Sequence, residues 1–210
     1  MHVNNGVFIL IAGANASGKT TVIKPKYVEG RVKRYLDPDR LLPIAESDIL
    51  STEALECYKK NLPARFAVTC MEDWLDSERI RSEGIATESN LVTKRDFRNF
   101  KIAKEAGMRT ELYFVGVSLE TALQRKIIRA DKGEQDKISD YVITTRHADG
   151  LVNIPKHIDS GNVDVIMIYD NSRCRGEEQL LLHVEDRETV FRHPTPPEWF
   201  NLSASGAWGR

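Results

Sequence analysis

Apolar residues in this chain come in two rhythms. Near-continuous runs stand at 7–12 (VFILIA), 112–117 (LYFVGV) and 163–169 (VDVIMIY), and longer segments between them repeat their apolar positions every three or four residues. Runs without polar alternation suit strands buried on both faces, and helical spacing between them suits right-handed crossovers, so the pattern predicts an α/β fold with a mostly parallel sheet. Shorter strands are expected at 34–36 and 84–87. A helix is expected over 93–106, with Thr93 as N-cap, Asp96 three residues on, Phe97, Phe100 and Ala103 on one face, and Gly107 closing it. Ser118 should cap the next helix, turning Leu119, Ala122, Leu123 and Ile127 inward. Residues 46–82 read as helical with a break at Pro63. Near the end, LLLHVED and ETVFRH predict a hairpin across Asp186-Arg187, and HPTPPEWF reads as a proline-limited tail rather than a helix.

Directly behind the first run lies GANASGKTT, residues 13–21. A strand delivering the chain into a loop with glycines at 13 and 18 lets backbone amides wrap an anion, and the helix start beyond adds unpaired N–H groups. The segment Gly13, Ala14, Asn15, Ala16, Ser17, Gly18, Lys19, Thr20, Thr21 is therefore a candidate triphosphate cradle. Lys19 supplies a point charge to the outer phosphates and Thr20 a hydroxyl for Mg²⁺, which makes ATP and Mg²⁺ the expected cofactors. Pro25 should bend or end that first helix within two turns.

Composition narrows the partners. The chain has 210 residues and a formal net charge of −1. One domain over 1–210 is expected, with its core at about 7–172 and a hairpin and tail at about 178–210. A balanced charge gives no footprint for nucleic acid. Cys57, Cys70 and Cys174 lack metal or disulfide spacing and suggest reduced thiols. The 7–12 run is too short to span a membrane and MHVNNG carries no basic leader, so a cytoplasmic protein is expected. The five histidines share no ligand spacing, and Trp74, Trp199 and Trp208 read as packing or tail anchors.

A phosphate cradle alone does not choose a reaction. The guanine-reading Asn-Lys-x-Asp of GTPases and the Ser-Gly-Gly-Gln signature of transport ATPases are both missing. What the chain has is Tyr35-Leu36-Asp37-Pro38-Asp39 after the second strand, and cations through 123–147. The carboxyl ends of parallel strands converge on one crevice, so Asp39 is a candidate base for an attacking hydroxyl. The plain alternative is that Asp37 caps the following turn and Asp39 begins a helix. Arg125, Arg129 and Arg146 are candidates to clamp a transferring phosphoryl group, in a segment that reads as a lid. Asp170 has a weaker claim to a metal, by its place after an apolar strand.

In this order the landmarks resemble the zeta toxin-like family of P-loop kinases: GANASGKTT, LDPDRLL, GIATESNLV, KEAGMRTELYFVGV, ALQRKIIR and IYDNS, over about residues 7–172. The resemblance implies a three-layer P-loop fold, Lys19 and Thr20 on phosphates and Mg²⁺, Asp39 as base, Glu88 at the acceptor, and the three arginines at the γ-phosphate. It also implies transfer to a hydroxyl of a small molecule such as UDP-N-acetylglucosamine, and a small antitoxin-type protein partner. Departures are Asp37 where the family has Asn, which leaves Asp37 as a substrate or Mg²⁺ contact or an alternative base, Ser89 after Glu88, and Lys132-Gly133-Glu134 in the lid. Two other readings stay open: an ATP-binding regulatory or toxin-remnant module, and a nucleotide monophosphate kinase.

Overall fold

The computed structural model describes residues 6–131, 138–173 and 177–203, with side chains through Phe200. The expectations for His2, Lys132-Gly133-Glu134, Lys137, Cys174 and Trp208 lie outside the described residues. Strand β1 (Val7–Ala12) leads into α1 (Lys19–Ile23), a π-helical turn (Lys24–Val28) and β2 (Arg34–Leu36). A 3₁₀ turn (Glu46–Asp48) precedes α2 (Thr52–Lys59), α3 (Pro63–Asp76), α4 (Glu78–Glu83) and β3 (Ile85–Ser89). Then follow α5 (Lys94–Glu105), β4 (Arg109–Gly116), α6 (Leu119–Asp131), α7 (Asp140–Ser160), β5 (Val165–Asp170), β6 (Gln179–Glu185), β7 (Glu188–Arg192) and α8 (Glu198–Ser203).

The sheet has seven strands in the order β2-β3-β1-β4-β5-β6-β7, parallel through β5 and antiparallel beyond it. β1 lies at its heart, with Leu10 flanked by Thr87 of β3 and Leu112 of β4. All six β1 residues are buried because their side chains serve two cores. Phe8, Leu10 and Ala12 face α3, α5 and α7, where Phe8 meets Phe100 edge-on at 5.3 Å. Val7, Ile9 and Ile11 face α1 and the π turn. The sheet is thus covered on both sides, the three-layer arrangement that unbroken apolar strands require.

Local chemistry explains most boundaries. Pro25 has no N–H to return to the preceding turn, and α1 passes at Lys24 into a π turn closed by Glu29 N–H on the Lys24 carbonyl (3.1 Å). Pro63 stands at the first position of α3, where a missing N–H costs nothing. Thr93 donates its hydroxyl to Asp96 Oδ2 (3.0 Å) at the start of α5, and Gly107 follows its end with φ 77°. Ser118 Oγ accepts Thr121 N–H (3.1 Å) at the start of α6. The hairpin turns at Asp186 and Arg187, both left-handed (φ 48° and 70°), which matches the strand twist.

Two expectations need correction. Ile127 does not face inward: it is 60% exposed, and only Ala122 of the α6 quartet is fully buried, because α6 packs on a small cluster of Val117 and Ile143 rather than on the sheet. The tail is not free of helix either. Pro197 ends the irregular stretch, and α8 starts at Glu198 because Trp199 and Phe200 have burial sites to pay for it: the Trp199 ring lies over Gly116, where a Cβ would come within 2.2 Å of it, and its indole N–H donates to Asp170 (3.0 Å).

His157 on α7 is fully buried, stacked on Phe97 with ring centres 3.7 Å apart, and neither ring nitrogen has a partner among the described residues. Burial lowers its pKa from 6.5 to about 4. The unfolded chain therefore takes up this proton first as pH falls, so stability is lost between about pH 6.5 and 4, on the order of 3 kcal/mol in all. Urea titrations at pH 7 and pH 5 should show a larger loss in the parent than in His157→Phe, which keeps the ring stack. Equal losses would disprove the assignment.

Candidate active site

The loop after β1 is shaped by two glycines that no other residue replaces. Gly13 has φ 139°, and a Cβ there would lie 2.2 Å from the Val115 carbonyl oxygen of β4; Gly18 has φ 93°, and a Cβ there would meet Asn171 Nδ2 at 2.3 Å. The backbone is held from outside. Asn171 donates its amide to the Ser17 carbonyl (2.8 Å), Arg125 donates to the Asn171 carbonyl (2.6 Å), and Arg146 donates to Asn15 Oδ1 (3.1 Å). Lys19 folds back, with its ammonium on the Gly13 and Ala14 carbonyls (2.9 and 3.2 Å). Desolvation pulls its pKa down, against the raising influence of the Glu88 and Asp39 carboxylates. A phosphate oxygen arriving here would gain a cation already largely stripped of water.

The two aspartates after β2 part company. Asp37 is committed to its turn: Oδ1 accepts the Asp39 N–H (2.9 Å) and Oδ2 accepts Arg40 Nε–H (2.7 Å). Asp39 sits in a turn, not a helix, and its exposed carboxylate opens onto the same cleft as Lys19. Glu88, at the carboxyl end of β3, takes the Thr20 hydroxyl on Oε1 (2.9 Å) and, on the same oxygen, the Tyr35 hydroxyl. Burial and the neighbouring Glu88 charge push the Tyr35 phenol far up, so it stays a donor. Tyr35 escaped the sequence reading; its only signal was a polar-tipped aromatic entering the loop two residues before Asp37.

These groups line an open cleft of about 990 Å³ bounded by the phosphate loop, Asp37, Asp39, Glu88, Arg125, Arg129 and Asn171. The arginines divide. Arg125 and Arg129 of α6 border this cleft, whereas Arg146 of α7 borders a smaller adjoining pocket that also touches Lys19, Asp39 and Glu88. Asp170 is spoken for: Oδ1 accepts Ser172 Oγ–H (2.6 Å) and the Trp199 indole, so it anchors α8. Asn171 beside it, a residue the sequence reading did not single out, is what holds the loop.

Mg²⁺ suits this donor set in a particular way. Among the described residues no three His, Cys, Asp or Glu side chains converge into a cage. A hard cation held by one hydroxyl, phosphate oxygens and its own waters needs no such cage. Thr20 Oγ1 donates its proton to Glu88, which leaves its lone pairs for such an ion.

No family model and no curated relative matches the chain. Solved structures do. The AvrRxo1-ORF1:AvrRxo1-ORF2 complex with ATP superposes at TM-score 0.62 with 16% identity, covering 96% of this chain and 63% of the matched one, and the same complex with sulphate ions gives the same figures. The PezAT chromosomal toxin-antitoxin system of Streptococcus pneumoniae superposes at 0.55 with 17% identity, covering 97% and 85%. The chain shares its fold with these structures, a mostly parallel α/β sheet covered on both faces. This chain spans about two-thirds or less of the AvrRxo1 chain it matches, 63% of its length. No described helix is long and apolar enough to cross a membrane.

Gly18→Ala would add left-handed strain and drive a methyl into Asn171. ATP should raise the parent's melting temperature, and the variant should keep its circular dichroism spectrum yet lose that rise, with nucleotide affinity at least about tenfold weaker. Retained affinity would show that the loop does not grip phosphate.

Proposed function

We propose that this protein is an ATP- and Mg²⁺-dependent kinase that transfers the γ-phosphoryl group to a hydroxyl of a small molecule. One observation carries the reading: the Asp39 carboxylate, with no side-chain hydrogen-bond partner among the described residues, opens onto the cleft that holds Lys19 and the phosphate loop. The Walker-type loop, the fold, and the ATP in the AvrRxo1 complex support nucleotide binding.

The roles follow from position. The loop amides and Lys19 take the β- and γ-phosphates, and Thr20 would hold the cation, which would supply charge neutralisation there. The acceptor oxygen lies between Asp39 and the γ-phosphorus. Asp39 accepts its proton as the oxygen–phosphorus bond forms and the bond to the β-bridging oxygen breaks, leaving ADP. Arg146, from the acceptor side, and Arg125 and Arg129, from the cleft side, neutralise the charge spread over the moving group. Asp37 shapes the turn that presents Asp39, and Glu88 orients Thr20 at the edge of the acceptor. A nucleotide sugar is the acceptor class that the resemblance brings with it. A small antitoxin-type protein is proposed as partner, supported by the PezAT toxin-antitoxin system, and a cytoplasmic setting by the unpaired, buried Cys57 and Cys70.

Incubation with γ-labelled ATP, Mg²⁺ and a metabolite extract should place label on a small molecule. Asp39→Asn should cut transfer by about 10²- to 10⁴-fold with ATP affinity within about threefold of the parent, whereas Lys19→Ala should lose both. Asp39→Asn that transfers as fast as the parent would remove the base, and ATP consumed only with AMP or another monophosphate would make this a nucleotide monophosphate kinase.

A further inference from the structure

Helix α7 has a buried glycine at its middle, Gly150. Glycine disfavours a helix interior relative to alanine, and a close approach explains its presence: a Cβ at 150 would lie 2.8 Å from the Asn90 carbonyl oxygen, a backbone atom. One turn further on, Asn153 donates its amide to the Leu91 carbonyl (2.7 Å), and Lys156 donates to Asn153 Oδ1 (2.9 Å), which fixes the way that amide points. One turn before Gly150, Arg146 donates to Asn15 Oδ1 of the phosphate loop (3.1 Å). Positions 146, 150 and 153 follow the i, i+4, i+7 spacing of a single helix stripe. Over about 10 Å of helix, this stripe meets the end of β3 at two points and the phosphate loop at a third.

The turn that α7 rests on is strained. Leu91 has φ 60°, in the left-handed region that residues with a Cβ seldom adopt, and its side chain is fully buried. Side chains take both of its backbone polar groups: Ser89 Oγ accepts its N–H (3.0 Å) and Asn153 donates to its carbonyl. Ser89 in turn donates to Asp96 near the start of α5 (3.0 Å). Backbone held in this way persists only where its surroundings over-determine it, and such places cluster at functional sites. This turn starts one residue after Glu88 and borders the smaller pocket, along with Lys19, Asp39 and Arg146. Helix α7 is thus docked on a stiff ledge at the reacting end of the cleft.

Resting on the kinase reading above, we infer that Gly150 and Asn153 are positioning residues for Arg146: they set the depth and register of α7 against the turn 89–91, and so hold the guanidinium at the phosphate end of the cleft. A methyl group at 150 must shift one backbone against the other. Leu151 and Ile154 in the core, and His147 Nε2 on the Val117 carbonyl (2.8 Å), keep the helix on the sheet, so the change expected is a small displacement rather than undocking. A small displacement is enough. Misplacing a group that acts on the transition state by on the order of 1 Å can lower a rate about a hundredfold.

The test uses the full chain with γ-labelled ATP, Mg²⁺ and the metabolite extract. Gly150→Ala and Asn153→Asp, the second of which keeps the Lys156 contact but loses the donor to Leu91, should each lower kcat by about tenfold or more, with the KM for ATP within about threefold of the parent. Val152→Ala, at an exposed position of the same helix, should transfer as the parent does. In an Arg146→Ala background the two substitutions should change kcat by less than about twofold, because the group they act through is gone. A packing role alone would leave each loss at full size there. NMR relaxation of the Arg146 side-chain nitrogen, measured without nucleotide, reads the same positioning with no reaction. Its Nε order parameter should stand near the rigid value of about 0.85 in the parent and fall below about 0.6 in both variants. Rate losses that persist in Arg146→Ala, or an order parameter that neither substitution alters, overturn the inference while the kinase reading stands. A parent that passes label to no acceptor overturns the kinase reading, and the relaxation result then decides the inference alone.

Discussion

The site depends on one close approach. Where β1 ends, the backbone of Gly13 comes so near the Val115 carbonyl of β4 that a methyl group would not fit. The chain must leave the sheet there, in a conformation with positive φ, and again at Gly18 and Ala16, where φ is 93° and 64°. Successive turns of this kind expose backbone N–H groups on the inside of a loop, which makes a concave, positive lining. The burial of β1 on both faces fixes where that loop starts, and the short α1 fixes where it ends. Geometry so constrained is preorganised: its cost is met in folding rather than when the anion binds.

Around that loop the sheet order does the rest. β3 and β4 flank β1 directly, so residues from the ends of three strands fall side by side although they are far apart in the chain. Glu88 is adjacent in register to Ile11, and Thr20 lies one helical step beyond the loop, which is why a carboxylate 68 positions away finds its hydroxyl. Asn171 arrives from the end of β5 and clamps the loop's back. Arg125 then reaches Asn171, so one arginine of α6 contributes through the backbone it steadies as well as through its charge.

The sequence announced the parts that local rules govern. β1, β4 and β5 showed as unbroken apolar runs, α5 by Thr93 and Asp96, the hairpin by its turn, and the cradle by the spacing of Gly13, Gly18 and Lys19. Tertiary competition hid the rest. Ile127 has the right helical spacing for a core position, yet α6 projects from the sheet and leaves it in water. The tail helix follows prolines that would discourage one, but burying Trp199 and Phe200 outweighs that weak preference. Nothing local marks Tyr35 as a partner of Glu88, or Asn171, though it stands inside a landmark segment, as the residue that holds the loop. Their importance comes from what they face across the crevice, and a single sequence does not contain that distance.

The same logic separates the two aspartates, which differ little in sequence context. A general base must keep a lone pair for the incoming proton and must not be held by stronger partners. Asp37 has both oxygens occupied, one by a backbone amide and one by a guanidinium, so it is held by its own turn. Asp39 owes its position to that arrangement: the amide that Asp37 accepts is its own, so the first carboxylate fixes the backbone from which the second projects. On the proposed reading, a second acidic residue at Asp37 is therefore compatible with a base at Asp39. Its effect on the chemistry runs through the shape of the turn.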